Sequence, residues 1–201
     1  MQPMQEENNQ PLPVVHVEPA SNNLWEIIKF TLIALIIVVP VRMFIAQPFV
    51  VSGESMYPTF HDKDYLIVDE ISYQFKDPAR GEVVIFRYPL QPDRFFIKRI
   101  IALPGEVMTY DQGKITIKNI ETGKTQTLDE TYILENSPGK FSVTLAEGEY
   151  FVMGDNRNGS SDSRAWGPLP EKFITGRALV RLLPMTDASF FPGFAHYAQS
   201  Q

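Results

Sequence analysis

The chain has 201 residues and a net charge of −6 at pH 7, room for one ordinary domain of ~100 to 150 residues plus a short appended segment. The acidic balance, without a clustered stripe of Lys and Arg, argues against a nucleic-acid partner. There are no cysteines, which excludes disulfides, thiolate zinc sites and a cysteine nucleophile.

Residues 1–23 carry Glu6, Glu7 and Glu18 among Pro, Asn and Gln. Their large apolar groups are too few to offset the entropy of ordering the chain, so a disordered tail is expected. From residue 24 to residue 47 the character reverses. Ile27, Ile28, Phe30, Leu32, Ile33, Leu35, Ile36, Ile37, Val38 and Val39 make a helix apolar all round, which reads as a transmembrane anchor. The uncharged stretch from Phe30 to Val41 is shorter than the ~20 residues that cross a hydrocarbon core. Lys29 and Arg42 are therefore expected at the two interfaces with snorkelling stems, and Trp25 as an amphipathic anchor at the near one. A buried core helix is the alternative. The two cations balance, so the charge pattern does not set an orientation.

Residues 48–201 show short apolar runs between turn residues, at 65–68, 82–87, 94–102, 114–120, 150–153 and 177–183. Runs of that length, rich in β-branched and aromatic residues, predict a mostly β, antiparallel domain. The more polar stretch at about 110–148 reads as an inserted hairpin subdomain, structural in role.

Three motifs carry chemistry. The first, Ser52-Gly53-Glu54-Ser55-Met56-Tyr57-Pro58-Thr59, begins a few residues after the expected anchor. Alone it would be an ordinary turn. The second runs from Arg94 through Phe96, Ile97, Lys98, Arg99 and Ile100 to Pro104-Gly105-Glu106. On a strand, Lys98 shares a face with Phe96 and Ile100 while Arg99 points the other way. Lysine begins at a pKa of about 10.4 and must lose its proton to serve as a base, which desolvation by apolar neighbours achieves. Arginine cannot do this. The third motif, Gly154-Asp155-Asn156-Arg157 followed by Ser160, Asp162, Ser163 and Arg164, can knit a loop by side-chain hydrogen bonds and ion pairs. Asp155, Asn156, Asp162 and Ser163 are also oxygen ligands, but Arg157 and Arg164 add positive charge and the EF-hand order is missing.

Behind one apolar segment and in this order, Ser-Met-Tyr-Pro-Thr, Ile-Lys-Arg-Ile-Ile-Ala-Leu-Pro-Gly-Glu and Gly-Asp-Asn-Arg with Asp-Ser-Arg resemble the type I signal peptidases of bacteria and thylakoids. The resemblance covers roughly residues 24 to 185. It implies a membrane-bound serine endopeptidase whose catalytic domain is extracytoplasmic and whose N-terminus is cytoplasmic or stromal. Its substrates would be secretory preproteins, cut after small residues at −3 and −1, and it would need neither a metal nor an organic cofactor. Matched by motif position, Ser55 is the nucleophile, Lys98 its general base, Ser160 the serine that hydrogen-bonds the lysine, and Asp162 with Arg164 a supporting charged pair. Phe49, Val51, Met56, Phe60, Phe96 and Ile97 would line the pockets for small side chains, with ordinary core packing as their alternative. One departure matters: where some members carry a serine two residues before the nucleophile, this chain has Gly53. Oxyanion donation then falls to backbone N–H groups such as that of Ser55, and to the Ser52 hydroxyl.

Three rival readings fit parts of the sequence. A Ser-His-Asp enzyme has only His16, His61 and His196 to draw on, of which His61 alone is near the serine motif. A self-cleaving repressor of the SOS-response kind would need a DNA-binding head where this chain has an acidic tail. A non-catalytic, membrane-tethered β module would bind extended peptides along an open sheet edge without cutting them.

Overall fold

The computed structural model describes residues 23–40 and 47–197. The expected disordered tail before Asn23, and Arg42 at the far end of the expected anchor, lie outside the described residues.

Two compact units are found, residues 1–39 and 40–201. The first contains helix α1 (Asn23–Pro40) up to its last residue. Its apolar side chains, from Leu24 to Val38, are largely exposed. Among the described residues no helix is long and apolar enough to cross a membrane. The 18 residues of α1 include Glu26 and Lys29, and at ~1.5 Å per residue they rise slightly less than the ~30 Å of a hydrocarbon core.

The second unit is built from antiparallel strands. Its larger sheet runs β1 (Gln47–Val50), β2 (Tyr65–Asp69), β11 (Ile174–Leu183), β3 (Val83–Tyr88), β4 (Gln91–Ala102), β9 (Glu149–Met153) and β10 (Leu169–Pro170), with β12 (Ser189–Phe190) beside β11. A four-stranded sheet takes the order β7 (Thr125–Thr127), β6 (Lys114–Asn119), β5 (Glu106–Asp111) and β8 (Lys140–Thr144). The short helix α2 (Ser163–Trp166) follows β9.

The six expected runs are all strands, with no end displaced by more than three residues. The stretch expected as a hairpin from residue 110 is instead a four-stranded sheet that begins at Glu106. Its inner face shares one core with the larger sheet: Met108, Tyr110, Ile115 and Ile117 pack with Ile101, Ala102, Phe151 and Met153.

Two features of the large sheet shape the site. Strand β1 is an end strand. Strand β9 pairs with β4 only at Arg99, Ile100 and Ala102, so the edge of β4 opposite β3 is left unpaired along its first part.

Candidate active site

The loop between β1 and β2 carries Ser55. Its base is closed by Val51 N–H to Asp64 C=O and Lys63 N–H to Val51 C=O, both 2.9 Å. After Ser55 the chain makes a tight turn in which Phe60 N–H donates to Met56 C=O at 2.9 Å. That spacing drives Met56 and Phe60 into the core with Val51, Leu66, Val68, Val83 and Ile85, where each is at most 1 % exposed. They anchor the loop from below.

Lys98 comes from β4, opposite Val84 of β3. Its ammonium nitrogen lies 2.8 Å from Ser55 Oγ and 2.8 Å from Ile97 C=O, and 5.2 Å from the centre of the Phe96 ring. Lys98 is only 3 % exposed. Burial favours the neutral amine and lowers its pKa to about 8, against the opposing pull of the Asp162 and Asp155 carboxylates. Arg99, one residue on, turns to Asp155 with Nε–Oδ1 at 2.9 Å and Nη2–Oδ2 at 2.5 Å. The strand alternation thus separates the two adjacent cations.

The loop after β9 braces Ser55 from the other side. Asn156 N–H donates to Ser55 C=O, and Asn156 Nδ2 to Glu54 C=O, both at 3.1 Å. A Cβ added at Gly154 would lie 2.2 Å from Ser160 Oγ and 2.4 Å from Ser55 O, so only glycine lets the two loops approach this closely. Asp162 receives Gly154 N–H at 3.0 Å and a two-point contact from Arg164 at 2.8 and 2.7 Å. Burial alone would raise the Asp162 pKa, but the Arg164 and Gly154 hydrogen bonds outweigh it and hold the carboxyl below its usual range.

A cleft of about 350 Å³ opens over Ser55 and Lys98. Phe49 and Val51, at the end of β1 and just beyond it, line it together with Phe96 and Ile97 of β4. The unpaired edges of β1 and β4 therefore flank one trough.

The family model described as "Signal peptidase, peptidase S26" matches residues 24–183. The chain belongs to the peptidase S26 signal peptidase family. It is 38 % identical to a protein of Synechocystis sp. named probable signal peptidase I-1, over 80 % of this chain and 85 % of that one. Signal peptidase I of Leptolyngbya laminosa is 35 % identical, covering 86 % of each chain. The thylakoidal processing peptidase 1 of Arabidopsis thaliana is 33 % identical, over 74 % of this chain and 45 % of that one.

Within the S26 frame, the structure gathers Ser55, Lys98, Ser52, Gly53, Phe49, Val51, Phe96 and Ile97 at one cleft. Met56 and Phe60, expected as pocket residues, do not line it; they are core beneath it. Ser160 packs against Gly154 next to this group. Its hydroxyl is buried and turned to the Asp162 carboxyl, which it helps to hold ionised, and Lys98 bonds Ser55 and Ile97 rather than Ser160. Gly53 has φ +87°, and a Cβ there would meet nothing within 4 Å. Its glycine is thus required by backbone shape, with no crowding at the site. The Gly53 N–H is committed to Asp62 Oδ1 at 2.9 Å. That bond, the largest influence on Asp62, lowers the pKa of the carboxyl.

Sequence reasoning missed Leu66 and Ile85, which floor the cleft, because both read as plain strand residues. It also missed Asn156 as the brace of Ser55. Its neighbour Asp155 draws the eye, and only the fold brings that loop onto Glu54 and Ser55. His61 is exposed and stacks edge-on with Tyr57; among the described residues nothing links it to Ser55. Asp155 and Asp162, considered as metal ligands, each face a separate arginine.

Proposed function

We propose that this chain is a type I signal peptidase in which Ser55 is the nucleophile and Lys98 the general base. The observation that carries the reading is the 2.8 Å contact between Lys98 Nζ and Ser55 Oγ, with Lys98 as a whole only 3 % exposed. A neutral amine at that distance accepts the hydroxyl proton as Ser55 attacks the scissile carbonyl. The resulting ammonium hands the proton to the leaving amine as the acyl-enzyme forms. A water deprotonated by the same amine then frees the signal peptide.

The cleft also fits an extended peptide. A substrate strand laid between β1 and the unpaired part of β4 can bond its backbone to both edges. Phe49, Val51, Phe96 and Ile97 then leave room for small side chains only, in line with a cut after small residues at −3 and −1. For the oxyanion, Ser55 N–H makes no hydrogen bond among the described residues and is the first donor. The exposed Ser52 hydroxyl is the second. Gly53 N–H, tied to Asp62, is not in the set.

Residues 24–47 serve as the single-pass anchor of this reading, with the tail cytoplasmic or stromal and the β domain extracytoplasmic. Tethering to the bilayer that holds the signal peptide raises the effective concentration of enzyme and substrate to ~mM. The test is to incubate the detergent-solubilised full chain with a preprotein and map the products by mass spectrometry. One cut after a small residue, absent with Ser55→Ala, supports the reading. Peptide binding without any cut leaves only the non-catalytic module.

A further inference from the structure

The strap formed by residues 191–197 lies over the buried guanidinium of Arg99, away from the cleft. Arg99 Nη1 donates to Gly81 C=O at 3.0 Å and to Gly193 C=O. The strap is pinned at both ends: Phe191 N–H donates to Leu179 C=O at 2.7 Å, and Ala195 N–H to Gly81 C=O at 3.2 Å. Beyond it, the Tyr197 and Tyr132 hydroxyls meet at 2.7 Å, and the Tyr132 ring lies 3.9 Å from the Arg99 guanidinium.

Arg99 is also one contact away from the serine loop. Its partner Asp155 accepts Thr59 Oγ1 at 2.5 Å, and Thr59 follows Ser55 within the same turn. The strap touches that turn directly, because a Cβ on Gly193 would stand 2.6 Å from Thr59 Cγ2. Strap, Arg99, Asp155 and Thr59 therefore form one connected set whose last member sits on the loop that carries Ser55.

We infer that residues 191–197 are a positioning strap for the nucleophile loop: the Gly193 carbonyl completes the shell of Arg99, and its missing side chain leaves Thr59 the space to reach Asp155. The inference rests on the peptidase reading. Residues of the strap touch neither substrate nor the reacting atoms, so they act on turnover through loop geometry. Displacing a catalytic group by ~1 Å can cost on the order of a hundredfold in rate.

The test measures kcat, KM and folded fraction for the full chain and for Gly193→Ala, Thr59→Ser, the double variant and Tyr197→Ala. Gly193→Ala should lower kcat per folded molecule by about tenfold or more, with KM within about twofold. Replacing Thr59 by Ser keeps the hydroxyl for Asp155 and removes the methyl that the new Cβ strikes hardest, at 2.6 Å, while the tight contact with Phe60 at 3.1 Å and the φ of +74° at residue 193 remain. The double variant should therefore recover several-fold in kcat over Gly193→Ala, which simple backbone strain at Gly193 would not allow. Should Gly193→Ala fail to fold, Tyr197→Ala takes its place and should lower kcat in the same pattern. Full kcat in the folded variants, or a loss that Thr59→Ser does not relieve, overturns the strap. A wild-type chain that leaves preproteins uncut would instead sink the peptidase reading itself.

Discussion

Asn156 holds Ser55 by its backbone: the Asn156 N–H and Nδ2 donate to the carbonyls of Ser55 and Glu54, both at 3.1 Å. The carbonyl of the proposed nucleophile is thus fixed from the opposite loop, which leaves its N–H free to face an oxyanion. Asn156→Ala removes the side-chain half of this brace. Its kcat should fall by about tenfold to a hundredfold while KM changes little, as read in a steady-state peptide cleavage assay.

Lys98 exerts a second effect, on stability. Its folded pKa of about 8 lies below the ordinary lysine value of 10.5. Between these values the unfolded chain holds more proton than the folded one, so the stability of the fold rises as pH climbs through that window. Below about pH 8 the desolvation cost is fully present. Lys98→Met should therefore be more stable than the wild type at pH 7, by about 1 kcal/mol or more after allowing for its lost hydrogen bonds. The advantage should shrink toward pH 10.5. Thermal melts at pH 7 and pH 10 check this.

The Arg99–Asp155 pair has no exposed atoms on either side chain. Arg99→Leu leaves the Asp155 carboxylate buried with Thr59 but without the guanidinium that it pairs with. A loss of about 3 to 5 kcal/mol is expected in denaturant unfolding. The same change in Arg164, whose side chain is partly exposed, should cost less.

Gly53 gives a distinct signature. With φ +87° and open space around its Cα, Gly53→Ser introduces backbone strain but no clash. The expected cost is about 1 to 2 kcal/mol of stability, measurable by urea unfolding.

The alternation Phe96, Lys98, Ile100 was legible because a strand period of two forces neighbouring residues apart, and Arg99 indeed has a partner of its own. The six apolar runs were legible for the same reason. Strands β7 and β8 were not: Thr125, Thr127, Lys140, Ser142 and Thr144 are polar or small, and few of their side chains reach a core. Met56 and Phe60 have the chemistry of pocket residues, and only their depth in the fold assigns them to the core. Arg157 and Glu130 form a two-point ion pair at 2.9 and 2.5 Å across 27 residues, a contact that neither motif order nor periodicity could announce.

The most direct test of the central claim, an amine beside Ser55 that gives up its proton far more readily than an ordinary lysine, is the pH profile of kcat/KM for a signal-peptide substrate. The base must be unprotonated, so the rate should rise with pH along a single limb centred near about 8. A profile flat from pH 6 to pH 10, or a limb near the ordinary lysine value of about 10.4, would contradict it.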